Sequence, residues 1–145
     1  MTQAGSSKFG QLIENLNLKL QSPTVCDLLW EGDLPTRIHL HPDQKKVVIQ
    51  CFVHDLSFLT GLLRQQVIDT ALRINYLGLR GRHFSIGLDS RDFLTVTSTR
   101  SLSELDPESL IESLSFLTDQ AHRIRDLIQH VTLQNAAIVF PQTAE

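Results

Sequence analysis

The order in which hydrophobic periodicities follow one another along these 145 residues constrains the fold more than any single motif. Two stretches, Phe58 to Tyr76 and Asp106 to Leu133, repeat apolar residues at helical spacing. Between them RHFSIGLDSRDFLTVTSTR (Arg82 to Arg100) alternates in and out about a turn at Asp89-Ser90-Arg91-Asp92, as a β-hairpin does. A lone amphipathic helix and shorter strand-like runs come first. The expected fold class is therefore α+β: one domain of order α-β-β-β-α-β-β-α, an antiparallel sheet flanked by helices. The domain is expected to span 8–133, with a flexible N-terminus at 1–7 and a C-terminal tail at 134–145, where the period is lost.

The first helix is read over Lys8 to Leu20 from Phe9, Leu12, Ile13, Leu16 and Leu20, stopping before Ser22-Pro23. Val25 to Glu31 suits a strand, broken by Gly32-Asp33-Leu34-Pro35. Thr36 to His41 and Lys46 to Val53 flank the turn residues Pro42-Asp43-Gln44 and read as a hairpin. In the second helix Phe58, Leu59, Leu62, Leu63, Val67, Ile68, Ala71, Leu72 and Leu77 cover an arc too broad for contact with one sheet alone. Gly78 and Gly81 end it. The third helix opens on Asp106-Pro107-Glu108, an N-cap, a first-position proline and a first-turn acid. Its stripe runs Leu110, Leu114, Leu117, Ala121, Ile124, Ile128, Val131. A coiled-coil seam would look similar, but the flanking residues are not consistently complementary charges, so packing on the sheet is the reading taken.

Chemistry is hard to place on this chain. The net charge of −3 offers a phosphate backbone no general attraction, which sets nucleic acid aside. No signal pattern opens the chain and no apolar run approaches the ~18 residues of a membrane span, so a cytoplasmic protein without membrane insertion is expected. Cys26 and Cys51 lie in apolar strand-like surroundings, as buried reduced thiols do. His39 and His41 share a strand face and could recruit His54 or Asp55 to a metal, yet they equally continue the solvated face begun by Arg37. Gly78 to Gly81 holds glycines near Arg80, but it follows a helix and so meets that helix's negative end rather than anion-binding amides. There is no GxSxG motif, and Asp89 and Asp92 occupy ordinary turn positions. Neither an enzyme nor a cofactor is expected.

What remains is apolar surface in excess. Three helices and about five short strands leave part of a sheet face and of the second helix uncovered, which suits a dimer contact or a protein-binding groove.

The amphipathic opening FGQLIENLNLKL, the passage ALRINYLGLRGRHFSIGLD and the stretch FLTVTSTRSLSELDPESLIESLSFL, in this order of elements, resemble the class I type III secretion chaperones over roughly Lys8 to Leu133. The charge is milder than that family often shows. The resemblance implies a cytosolic homodimer whose contact involves the second helix, at Leu59, Leu62, Leu63, Val67 and Ala71, together with the second hairpin. It implies that the N-terminal segment of a secreted effector wraps around the dimer in an extended, nonglobular state. Leu12, Leu16 and Leu20 on the first helix, with Phe84, Ile86 and Phe93 on the hairpin, are the candidate effector-binding residues. It implies no cofactor. An adaptor or anti-activator that sequesters a regulatory protein with the same groove would present the same sequence pattern.

Overall fold

Alternation between buried and exposed residues builds the centre of the molecule, a five-stranded sheet that is antiparallel throughout. The computed structural model describes the backbone of residues 2–81 and 84–143, and the side-chain environments of residues 5, 7–75 and 84–132. The elements are α1 (Thr2–Asn15), β1 (Val25–Leu29), β2 (Pro35–Leu40), β3 (Lys46–Asp55), α2 (Gly61–Gly81), β4 (Ser85–Leu88), β5 (Phe93–Ser101), a short 3-10 turn (Leu102–Glu104) and α3 (Pro107–Thr143). The sheet order is β1-β2-β3-β5-β4, so β1 and β4 are its edges. The fold class read from the sequence is the one observed.

On the inner face Ile38 and Leu40 of β2, Val47, Ile49, Cys51 and Val53 of β3, and Leu94 and Val96 of β5 are buried. Opposite them stand Leu110, Leu114, Leu117, Ala121, Ile124 and Ile128, the four–three stripe of α3, also buried. That stripe is core, and α3 lies across β3 and β5 while touching α1 and α2. Burying side chains of this kind is worth ~1.5–3 kcal/mol each, the main favourable term in the fold. On the outer face Arg37, His39, Val48, Gln50, Phe52 and Thr97 stay partly exposed.

The turns are fixed by local chemistry. His41 to Gln44 and Asp89 to Asp92 each close through a backbone hydrogen bond from the fourth residue to the first, 2.8 and 3.1 Å. Each ends in a left-handed residue, Gln44 (φ 64°) and Asp92 (φ 65°). The Asp89 carboxylate accepts from the N–H groups of Arg91 and Phe93, both at 2.9 Å. Asp92 pairs with Arg64 at 3.0 Å, and Arg64 also donates to the Leu56 carbonyl at 2.8 Å, which clamps the second hairpin to the start of α2. These aspartates therefore have structural partners.

At α3, Ser109 N–H donates to Asp106 Oδ1 at 2.7 Å and Asp106 N–H donates to Ser109 Oγ at 2.9 Å, a reciprocal cap ahead of Pro107. The expected tail at 134–145 falls on residues whose side chains lie outside the described set; the backbone of α3 runs on to Thr143. Arg82 and His83, expected to open the second hairpin, also lie outside the described residues.

Candidate binding surfaces

The apolar residues of the opening segment divide at Asn17. Its φ of 57° ends α1, with Leu18 N–H donating to Ile13 O (3.2 Å) and Asn17 N–H to Glu14 O (2.9 Å). This pair of bonds satisfies the last carbonyls of a helix whose following residue is left-handed. The helix read over Lys8 to Leu20 thus runs from Thr2 to Asn15. Phe9, Leu12 and Ile13 face the core and are buried, whereas Leu16 and Leu20 lie beyond the helix and pack half-exposed against that core. Of the candidate effector-binding leucines, Leu16 and Leu20 keep accessible surface and Leu12 is 5% exposed.

The second hairpin sends its aromatic residues two ways. Phe84 and Ile86 point inward and are buried, with the Phe84 ring 6.3 Å from that of Phe116 on α3. Phe93 remains half-buried and meets Phe52 edge-on, with centroids 5.9 Å apart. Beside this pair is a cavity of about 290 Å³ lined by Asp27, Leu28, Pro35, Thr36, Arg37, Phe52, Arg91 and Phe93. It combines an aromatic wall with two guanidinium groups. Arg37 is held by Asp27 through bonds of 2.7 and 3.1 Å, and this pairing depresses the Asp27 carboxyl pKa. Sequence reading did not single out Phe52. It sits beside the irregularity in β3–β5 pairing between Phe52 and His54, which period-two counting does not reveal.

α2 is apolar on more than one side because it is clasped on one and bare on the other. The helix begins at Gly61, not at Phe58 as its apolar spacing suggested; Val67 and Ala71 are buried, and Ile68 and Ile74, with Leu59 just ahead of the helix, pack partly buried against the core, where α2 meets α3 and β4. Asn75 Oδ1 accepts from Ile86 N–H at 2.9 Å and fixes β4 to the helix. Outward stand Leu62 at 68% and Leu72 at 60% exposure, with Phe58 at 84% just ahead of the helix. Leu63 is half-buried between the two sides. Leu62 thus contributes surface, while Val67 and Ala71 are already used within the chain.

His39 is half-buried on the outer face; burial first, then the charges of Arg37 and His41, pushes its pKa down. Among the described residues no three metal-ligating side chains converge. Cys26 and Cys51 are free and buried, and burial pushes both thiols up, with Asp27 adding to the shift at Cys26. The two thiols stand on β1 and β3, separated by β2 and about 9–10 Å of sheet, beyond disulfide reach. Among the described residues no helix is long and apolar enough to cross a membrane.

Helices gathered on one face of a β1-β2-β3-β5-β4 antiparallel sheet define the class I type III secretion chaperone fold. The chain belongs to the Tir chaperone protein (CesT) family, whose profile matches residues 8–125. At the level of sequence, none of the curated proteins matches it. Among solved structures it is similar to a chain of the ExsC-ExsE complex, with TM-score 0.67 and 14% identity over 88% of this chain and 96% of that one. It is similar to one in the HopA1-SchA chaperone-effector complex, with TM-score 0.64 and 11% identity over 83% of this chain and 95% of that one. A third likeness is to the Yersinia pestis type III secretion chaperone SycH in complex with a stable fragment of YscM2, with TM-score 0.57 and 16% identity over 83% and 98%. At such identities these likenesses show a shared fold.

Proposed function

We propose that this chain is a homodimeric secretion chaperone that binds the N-terminal segment of a type III effector and keeps that segment extended and secretion-competent, without catalysis. The observation that carries the reading is family membership across 8–125 in a chain that also leaves large apolar side chains uncovered. Leu62 and Leu72 on the outer side of α2, with Phe58 ahead of it, are the surface that fits a second copy, and Leu59 and Leu63 flank it. Val67 and Ala71 would hold that helix in place from within. The accessible apolar positions Leu16, Leu20 and Phe93 fit the side chains of an extended client; Leu12, Phe84 and Ile86 support them from the core. One of the neighbouring structures is a chaperone–effector complex and another holds a type III secretion chaperone with a stable fragment of a second protein, and that precedent supports an effector as the partner here.

An extended client gains affinity from several shallow apolar pockets, while the cost of ordering it keeps the complex releasable. Each buried side chain contributes ~1.5–3 kcal/mol, so losing one pocket weakens binding about tenfold or more. The test is co-expression with a candidate effector followed by limited proteolysis. The expected result is one contiguous protected stretch near the effector's N-terminus, lost in Leu16→Asp while the chaperone stays folded. Capture of a transcriptional regulator in place of a secreted protein would favour the adaptor or anti-activator reading. A dependence of binding on ATP would overturn both.

A further inference from the structure

The carboxylates around the Phe52–Phe93 corner already have partners, while one of its cations does not. Asp27 is held by Arg37 through bonds of 2.7 and 3.1 Å, and Asp92 by Arg64 at 3.0 Å. Asp89 Oδ1 accepts from the backbone N–H groups of Arg91 and Phe93, both at 2.9 Å. Arg91 Nε stands 3.8 Å from the other Asp89 oxygen, beyond hydrogen-bond distance, and the Arg91 side chain is 74% exposed. A guanidinium carries five N–H donors in a planar fork, and these are turned to solvent. Arg91 also lines the cavity of about 290 Å³ whose wall is the edge-on pair Phe52 and Phe93. Pockets that enclose a small molecule run from about 300 to 1,000 Å³, so this one suits a single side chain. The bonded turn from Asp89 to Phe93 fixes the cation two residues ahead of the aromatic wall.

We infer that this corner selects among extended clients by charge: it takes an apolar side chain that has a carboxylate two residues away, and Arg91 is the residue that sets the preference. Phe52 and Phe93 cover the apolar side chain, and the Arg91 fork meets the carboxylate with two parallel N–H···O bonds. In an extended segment, side chains two residues apart share a face and stand about 6.4–6.8 Å from each other. The favoured client sequence is therefore apolar, any residue, then Asp or Glu, read in either direction. The charge of the whole chain acts the opposite way, since a net −3 favours a basic partner. A preference for an acidic one must come from a local cation. Arg37 does not supply it, because Asp27 already neutralises that guanidinium. The inference rests on the reading that an extended segment is the partner, and its test uses probes that need no effector.

The probes are three acetylated and amidated peptides: Ser-Thr-Phe-Thr-Glu-Thr-Ser, and the same sequence with Gln or with Lys in place of Glu. Each is titrated into the whole protein at low ionic strength while backbone amide resonances are followed. The expected shifts are at Phe52, Arg91 and Phe93. The Glu peptide should bind about three- to fivefold tighter than the Gln peptide, and the Lys peptide weakest, with the gap closing as salt is raised. Arg91→Gln keeps the backbone bonds of the turn, so it should leave the melting temperature unchanged and bring the Glu and Gln peptides to equal affinity. Arg91→Glu should reverse the order and favour the Lys peptide. Equal affinity for the Glu and Gln peptides in the parent protein overturns the inference, as does a Glu preference that survives Arg91→Gln. So do shifts that miss Phe52 and Phe93, and no response at millimolar peptide. Charge selection at this corner without any protected effector would sink the chaperone reading alone; effector protection without charge selection would sink this inference alone.

Discussion

His39 takes up a proton less readily in the folded protein than in the unfolded chain, because it is half-buried and sees the charges of Arg37 and His41. Its folded pKa lies below its ordinary 6.5, so the unfolded state binds more protons as pH falls through that value. Stability is therefore unaffected by this group above about pH 6.5 and declines below it. Urea unfolding at pH 7.5 and 5.5 should show a smaller difference in His39→Gln than in the parent; an identical difference would place the proton uptake elsewhere. Asp27 acts in a separate window. Its pKa is depressed below 3.8 by Arg37, so its contribution is present above that value and is lost as pH falls further. Cys51 is a packing residue, its Sγ 3.5 Å from the Thr36 hydroxyl, which also donates to the Leu34 carbonyl at 3.2 Å. Cys51→Val keeps the volume roughly constant and should cost less than about 1.5 kcal/mol by thermal or urea unfolding. A loss beyond about 3 kcal/mol would show that the thiol contact matters more than its shape.

α2 separates what a pattern of residues can show from what it cannot. Its broad apolar arc was legible, but which part of the arc is inside depends on β4 and α3, which pack against it from further along the chain. Val67 and Ala71 turned inward and Leu62 outward for that reason. Leu62→Glu should lower the dimer fraction in light scattering while leaving the melting temperature of the chain nearly unchanged, whereas Val67→Asp should unfold it. A clean 16.4 kDa species for the parent protein at micromolar concentration would contradict the dimer. α3 was the element best read from sequence, since Asp106-Pro107 and the four–three stripe are local signals. Asp106→Ala removes the reciprocal cap with Ser109 and should cost ~0.5–2 kcal/mol by urea unfolding. α1 was misplaced because the apolar spacing continues to Leu20 past the true stop. The stop is set by Asn17 in a left-handed conformation, which asparagine adopts often enough to use but not often enough to announce.

At the scale of the molecule, the order of elements was legible because each is a local pattern, while the neighbours each strand chooses are not. β5 inserts beside β3 and leaves β4 at the edge, so the Phe52–Phe93 pair and the cavity beside it arise only once distant strands meet. The loop after β1 is likewise pinned from afar. Trp30 Nε1–H donates to Ser115 Oγ at 3.1 Å, and Asp33 meets Arg125 at 2.7 Å and His122 at 3.4 Å. Gly32 lies so close to the His122 ring that a Cβ there would stand 2.5 Å from it. Such fastenings hold the loop after β1 against α3. Whether the proposed dimer holds its client unfolded is read out by hydrogen exchange of the effector within the purified complex. Slowed exchange is expected in one stretch near the effector's N-terminus, in segments that follow the chaperone surface. Protection of that same N-terminal segment as a cooperatively exchanging globular domain would contradict it.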